Sequence, residues 1–91
     1  MRPMFRPRKN IFITVKLFGG IDTDAGLNDY DPDVGIDLQV PEGIRLRKAV
    51  KKIGLNETNS MALFINGKQV DLREKLSDGD VVFCMKPLAG G

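Results

Sequence analysis

The apolar positions of this chain repeat first with the period of a strand, then with that of a helix, then with that of strands again. Ile11, Ile13, Val15 and Leu17 alternate with Phe12, Thr14, Lys16 and Phe18, and alternation carried by β-branched residues predicts a strand over residues 11–18. Val34, Ile36, Leu38 and Val40 alternate with Gly35, Asp37 and Gln39. This predicts a second strand over residues 34–40, with its apolar side chains inward and one face wet. The period then changes. Leu46, Ala49, Val50 and Ile53 fall at i, i+3, i+4 and i+7, the apolar stripe of a helix of about ten residues, with Gly54 placed for a left-handed C-cap. No Ser, Thr, Asp or Asn stands between Gly43 and Arg45 to serve as an N-cap, so the start of the helix is poorly marked.

Period two returns in "MALFINGKQV", which reads as a short strand, a turn at Asn66–Gly67 and a second short strand. Leu72 and Leu76 are anchors of the following segment, Asp78–Gly79 is a turn, and "VVFCM" is a last strand that Pro87 stops by removing a ladder donor. The order is β-β-α-β-β-β. One helix against one sheet is an α+β pattern.

One helix covers one face of a sheet, so the other face is informative. Along residues 81–85, Val82 and Cys84 point one way and Val81, Phe83 and Met85 the other, and neither set is polar. Phe64 opposes Leu63 and Ile65, and Phe18 is out of phase with Ile13, Val15 and Leu17. Phe18, Phe64, Phe83 and Met85 are therefore candidates for one exposed apolar patch, and such patches mark partner surfaces. The alternative is that the acidic loop or the N-terminal arm folds over these rings.

Composition narrows the chemistry. Ninety-one residues make one domain with one modest core and little room for an enclosed catalytic pocket. Hydrophobic residues make up 42% and charged residues 29%, which disfavours disorder and a membrane class. No stretch approaches the ~20 apolar residues of a membrane span. "MRPMFRPRKN" lacks the apolar segment of a secretory signal, so a cytoplasmic protein without a membrane partner is expected. The absence of histidine and the single Cys84 remove the usual zinc, imidazole, disulfide and iron–sulfur arrangements. No metal is expected, and Cys84, in phase with Val82, reads as a small core residue rather than a reactive thiol.

The net charge of +2 hides segregation. Residues 1–10 carry Arg2, Arg6, Arg8 and Lys9 without an acid, and read with Pro3 and Pro7 as a basic, disordered extension. Residues 19–33 form an acidic loop rich in turn formers, with Asp22, Asp24, Asp29, Asp31 and Asp33. Its "DTDAG" lacks the remaining ligands of a calcium loop, which leaves a solvated loop, with pairing to the basic helix as a second option. Arg45, Arg47, Lys48, Lys51 and Lys52 are unopposed on the helix. No aromatic residue interleaves with them, so a solvated face is favoured over nucleic acid.

The sequence ends "KPLAGG". Glycine has no Cβ, so a Gly-Gly end can be threaded into a narrow site with nothing beside the attacked carbonyl. A frayed end is the bland alternative. The Gly-Gly does not stand alone, however. The element order, the "ING-KQV-DL" hairpin, the "LSDGDVV" turn into the last strand and the terminal "PLAGG" together resemble the MoaD/ThiS family of sulfur-carrier proteins, over residues 11–91 and most specifically from Phe64 onward.

The resemblance implies a β-grasp (ubiquitin-like) fold, a mixed sheet of four to five strands packed on one helix, spanning residues 11–86 and followed by a flexible tail at 87–91. It implies that Gly91, preceded by Gly90, carries the carboxylate that becomes an acyl-adenylate and then a thiocarboxylate. Pro87, Leu88 and Ala89 would be the threaded arm, and Phe83 and Met85 part of the docking surface. On this reading the protein is a cosubstrate, not an enzyme, and binds no cofactor. ATP is used by an adenylating partner of the MoeB/ThiF type, and sulfur passes to a synthase subunit for molybdopterin-type cofactor or thiamine synthesis. The basic N-terminal extension and the long acidic loop depart from the family pattern. A β-grasp interaction or RNA-binding module, or a ubiquitin-like protein modifier, are the other functions such a fold would fit.

Overall fold

The computed structural model describes residues 9–55 and 58–86. Five strands form one mixed sheet, β1 (Asn10–Phe18), β2 (Ile36–Pro41), β3 (Ala62–Ile65), β4 (Lys68–Val70) and β5 (Val81–Met85), in the spatial order β2-β1-β5-β3-β4. β1 and β5 lie side by side and parallel at the centre, and every other pairing is antiparallel. This is the α+β, β-grasp arrangement.

Alternation in the strands becomes two chemically different sheet faces. Ile11, Ile13, Val15 and Leu17 of β1, Val40 of β2, Leu63 of β3, and Val82 and Cys84 of β5 are buried in one cluster with Leu46, Ala49 and Val50 of the helix α2 (Leu46–Lys51). No buried polar or charged residue interrupts this core among the described residues.

The helix is shorter than its apolar stripe predicts. Ile53 falls beyond it, in the turn that ends at Gly54, whose φ of 97° is the left-handed C-cap expected there. The missing N-cap residue also has a structural answer. Leu46 N–H donates to the Glu74 carbonyl at 2.8 Å and Arg47 N–H to the Leu72 carbonyl at 3.0 Å. The first-turn donors that a Ser or Asp would satisfy are thus met by the backbone of the 72–74 segment. Arg45 Nη1 reaches the Arg73 carbonyl at 2.7 Å and reinforces the same junction.

β2 starts two residues later than the alternation predicts. Gly35 has φ 78°, and a Cβ there would lie 2.9 Å from the Val15 carbonyl oxygen. The chain therefore turns at Gly35 before pairing, and Val34 is left 59% exposed instead of pointing inward. Residues 19–33 differ as well. A one-turn helix α1 (Ile21–Asp24) follows the Gly19–Gly20 turn, and Ile21 is fully buried. Ile21 pins the segment with Ala25, Leu27 and Tyr30 packed on the core beside it, and the Tyr30 hydroxyl pins it again by accepting the Leu17 N–H at 2.6 Å.

The Asn66–Gly67 turn has φ of 52° and 86°, left-handed at both central residues, as a two-residue hairpin requires. The "SDGD" turn is tied to β1. Asp78 Oδ1 accepts the Phe12 N–H at 2.8 Å, and Asp80 Oδ2 accepts the Ser77 N–H at 2.8 Å.

Candidate functional site

The side chains of β1, β3 and β5 that alternate with the core residues lie on the sheet face away from α2. Register brings the aromatic ones together. Phe64 stands opposite Phe83, Phe18 opposite Met85, and Ala62 on the other side of Met85. The rings of Phe18 and Phe83 stack with centroids 5.6 Å apart and an interplanar angle of 15°. Phe18, Phe64 and Phe83 are half-buried, whereas Met85 is 45% exposed. The residues singled out from sequence phase thus share one face, beside Lys86, the last described residue. Gly90 and Gly91, with Pro87, Leu88 and Ala89, lie outside the described residues, as do residues 1–8.

The sequence reasoning missed Phe12. It alternates with Ile11 and Ile13 and so occupies the same outer face, opposite Gln39 of β2, and at 61% exposed it is the most exposed large hydrophobic residue described. Its signal was available, since Phe12 is out of phase with the core residues just as Phe18 is. The face therefore continues from the stacked rings back along β1, past Lys16 and Thr14, to Phe12; the Thr14 hydroxyl donates to Asp37 Oδ1 at 2.9 Å.

Electrostatics place the acidic segment at the end of the patch. Asp24 Oδ2 lies 2.6 Å from Lys86 Nζ. Among the described residues no ion pair joins this segment to the helix cations; the other pair is Arg73–Asp71. Asp31 Oδ1 accepts the Asp33 N–H at 2.9 Å and closes a local turn. Among the described residues, no group of three or more His, Cys, Asp or Glu side chains is arranged to hold a metal ion. Cys84 is wholly buried, and desolvation pushes its thiol up from an ordinary 9.0 to about 12. A thiol that stays protonated at neutral pH is a poor nucleophile.

A family model described as the ThiS family matches residues 28–91. The chain belongs to the ThiS family. Among curated proteins none matches its sequence. Among solved structures, a ThiS-family chain of this shape is similar to a protein described as molybdopterin converting factor subunit 1 from Pyrococcus furiosus. Identity is 24%, with a TM-score of 0.64 over 86% of this chain and 99% of that one. It is also similar to SAMP1 of Haloferax volcanii, at 17% identity and a TM-score of 0.68, over 88% of this chain and 99% of that one. At those identities the likeness speaks for the ubiquitin-like fold alone. A third similar structure, at 25% identity and a TM-score of 0.53, covers 89% of this chain and all of its counterpart (100%). It is a complex of subunits 1 and 2 of the molybdopterin-converting factor from Helicobacter pylori. No helix among the described residues is long and apolar enough to cross a membrane.

Proposed function

We propose that this ThiS-family chain is a sulfur carrier, a non-catalytic cosubstrate whose reactive group is the Gly91 carboxylate. An activating enzyme of the MoeB/ThiF type binds the chain and ATP. A carboxylate oxygen attacks the α-phosphorus, pyrophosphate leaves, and a sulfide-equivalent donor displaces AMP to give a thiocarboxylate. The thiocarboxylate then donates sulfur to an acceptor subunit, in molybdopterin-type cofactor or thiamine synthesis, in the cytoplasm.

The observation that carries this reading is the outer sheet face. Stacked Phe18 and Phe83, with Phe64 and Met85, present an apolar surface with Phe12 farther along β1, and it lies beside Lys86, which Pro87, Leu88, Ala89, Gly90 and Gly91 follow in the sequence. A partner seated on the rings would be next to Lys86, the residue from which the sequence runs on to Gly91. The family match running as far as Gly91 supports the same assignment. The subunit 1–subunit 2 complex in the Helicobacter pylori protein supports an acceptor subunit as one such partner.

The test is intact-protein mass spectrometry after incubation with ATP, a sulfur source and the cognate activating enzyme. The expected product carries one sulfur in place of one oxygen, mapped to the C-terminal peptide, and is lost when Gly91 is deleted or followed by further residues. A chain that stays unmodified under those conditions would count against the carrier role, and a product linked to lysine amines would point to a protein modifier instead.

A further inference from the structure

The acidic segment packs on the core through Ile21, Ala25, Leu27 and Tyr30, and the docking face does not include it, yet it also reaches the end of the last strand. Asp24 Oδ2 lies 2.6 Å from Lys86 Nζ. Gly19 closes the same contact from the backbone side: a Cβ on it would stand 2.9 Å from the Lys86 carbonyl oxygen, so only glycine allows the end of β1 to lie this close to Lys86. The turn bearing Asp24 is itself held, with Ile21 wholly buried, Asp24 N–H donating to the Gly20 carbonyl at 3.1 Å and Ala25 N–H to the Ile21 carbonyl at 2.9 Å. Asp24 is therefore carried on an anchored element, and Lys86 is gripped at both its backbone and its ammonium group.

Lys86 is the root of the five-residue tail that ends at Gly91. Five residues reach at most roughly 18 Å, so a carboxylate that must enter a narrow site depends on the direction in which the chain leaves the sheet. We propose that Asp24 is a positioning residue for the carrier reaction: by holding Lys86 it aims the tail, and in doing so gives the acidic segment its role. The inference rests on the sulfur-carrier reading. Asp24 touches no reacting atom, so its loss raises the concentration of carrier needed for half-maximal activation and leaves the turnover of bound carrier unchanged.

The experiment measures ATP–pyrophosphate exchange by the cognate activating enzyme as a function of carrier concentration, for the full chain and for Asp24→Lys, Lys86→Asp and the double swap. Because the pair is exposed, its effect is modest. Asp24→Lys is expected to raise KM about three- to tenfold with kcat within about twofold, and the double swap to return KM to within about twofold of the starting chain. A KM unchanged in Asp24→Lys, a loss confined to kcat, or single-variant defects that merely accumulate in the double swap would each overturn the proposal. A starting chain that supports no exchange at all would overturn the carrier reading first; an active starting chain with indifferent variants overturns only the role of Asp24.

Discussion

The two faces of the sheet are built from the same strands by the same alternation, and they differ in almost everything else. The inner face is aliphatic and dry, with Val15, Val40 and Val82 wholly buried against Leu46, Ala49 and Val50. The outer face is aromatic and open, with Phe12 61% and Met85 45% exposed. Apolar surface left in water lowers solubility and contributes little to folding. Aliphatic residues in rotamer-defined contacts stabilise the domain, whereas flat rings with few torsions order cheaply against a second protein. The difference separates the face that holds the fold from the face proposed to meet partners, and each is open to its own perturbation.

The largest effect belongs to the inner face. Leu46→Ala removes a wholly buried side chain at the point where α2 enters the core, and is expected to cost about 2–5 kcal/mol, read as a lower urea midpoint at unchanged slope. For a domain of this size that is a large share of a stability on the order of 5–10 kcal/mol.

Phe83→Ala should do the reverse. Loss of the Phe18 stack costs about 0.5–1.5 kcal/mol of stability, but binding to the activating enzyme should weaken by about 2 kcal/mol or more, as for a central aromatic anchor. Calorimetric titration against that enzyme would read the change. Phe12→Ala, farther from the tail root, should weaken binding less. If Phe83→Ala cost stability as Leu46→Ala does while leaving binding intact, the division between the faces would be wrong.

How much of this was legible in the sequence follows from what generates each feature. Alternation is local, so strand phase and the gathering of Phe18, Phe64, Phe83 and Met85 on one face could be read from residue parity alone. Phe12 was legible by the same rule and was passed over because its strand neighbours dominate the pattern. The late start of β2 was not legible, because Val34 fits the alternation and only the approach of Gly35 to Val15 breaks it. The capping of α2 by the 72–74 backbone and the Asp24–Lys86 contact join residues 28 and 62 positions apart in their side-chain bonds. No periodicity records such pairings; the first left only a missing N-cap as its trace.

The faces meet where β1 ends, at Phe18 on one side and buried Ile21 on the other, across two glycines of similar backbone shape. Gly19 has φ 78° and Gly20 φ 85°, but a Cβ on Gly20 meets nothing within 4 Å, whereas one on Gly19 meets Lys86. Both alanine variants strain a left-handed residue, at about 1 kcal/mol each. The excess destabilisation of Gly19→Ala over Gly20→Ala, seen in paired thermal melts, therefore isolates the contact at the tail root. Equal midpoints would mean that Lys86 gives way at no cost and that the root is not gripped from the backbone side.

The smallest effect sharpens the comparison to neighbouring residues, since Cys84 faces the core and Met85 faces out. Burial raises the Cys84 thiol from 9.0 to about 12 in the folded chain, so between those values the unfolded chain releases a proton that the folded chain keeps. A group raised on folding contributes its full stability below the unfolded value and loses it as pH rises toward the folded one. Stability should therefore be insensitive to Cys84 up to pH 8 and fall by about 1–2 kcal/mol by pH 10 on this account alone. Cys84→Ala should flatten that part of the alkaline slope, which urea midpoints at pH 8, 9 and 10 on both proteins would show. In the same folded protein, peroxide should oxidise exposed Met85 while Cys84 remains a free thiol. Rapid alkylation of native Cys84 at pH 8 would mean that the inner face opens readily, and the contrast between the two faces would then be one of degree.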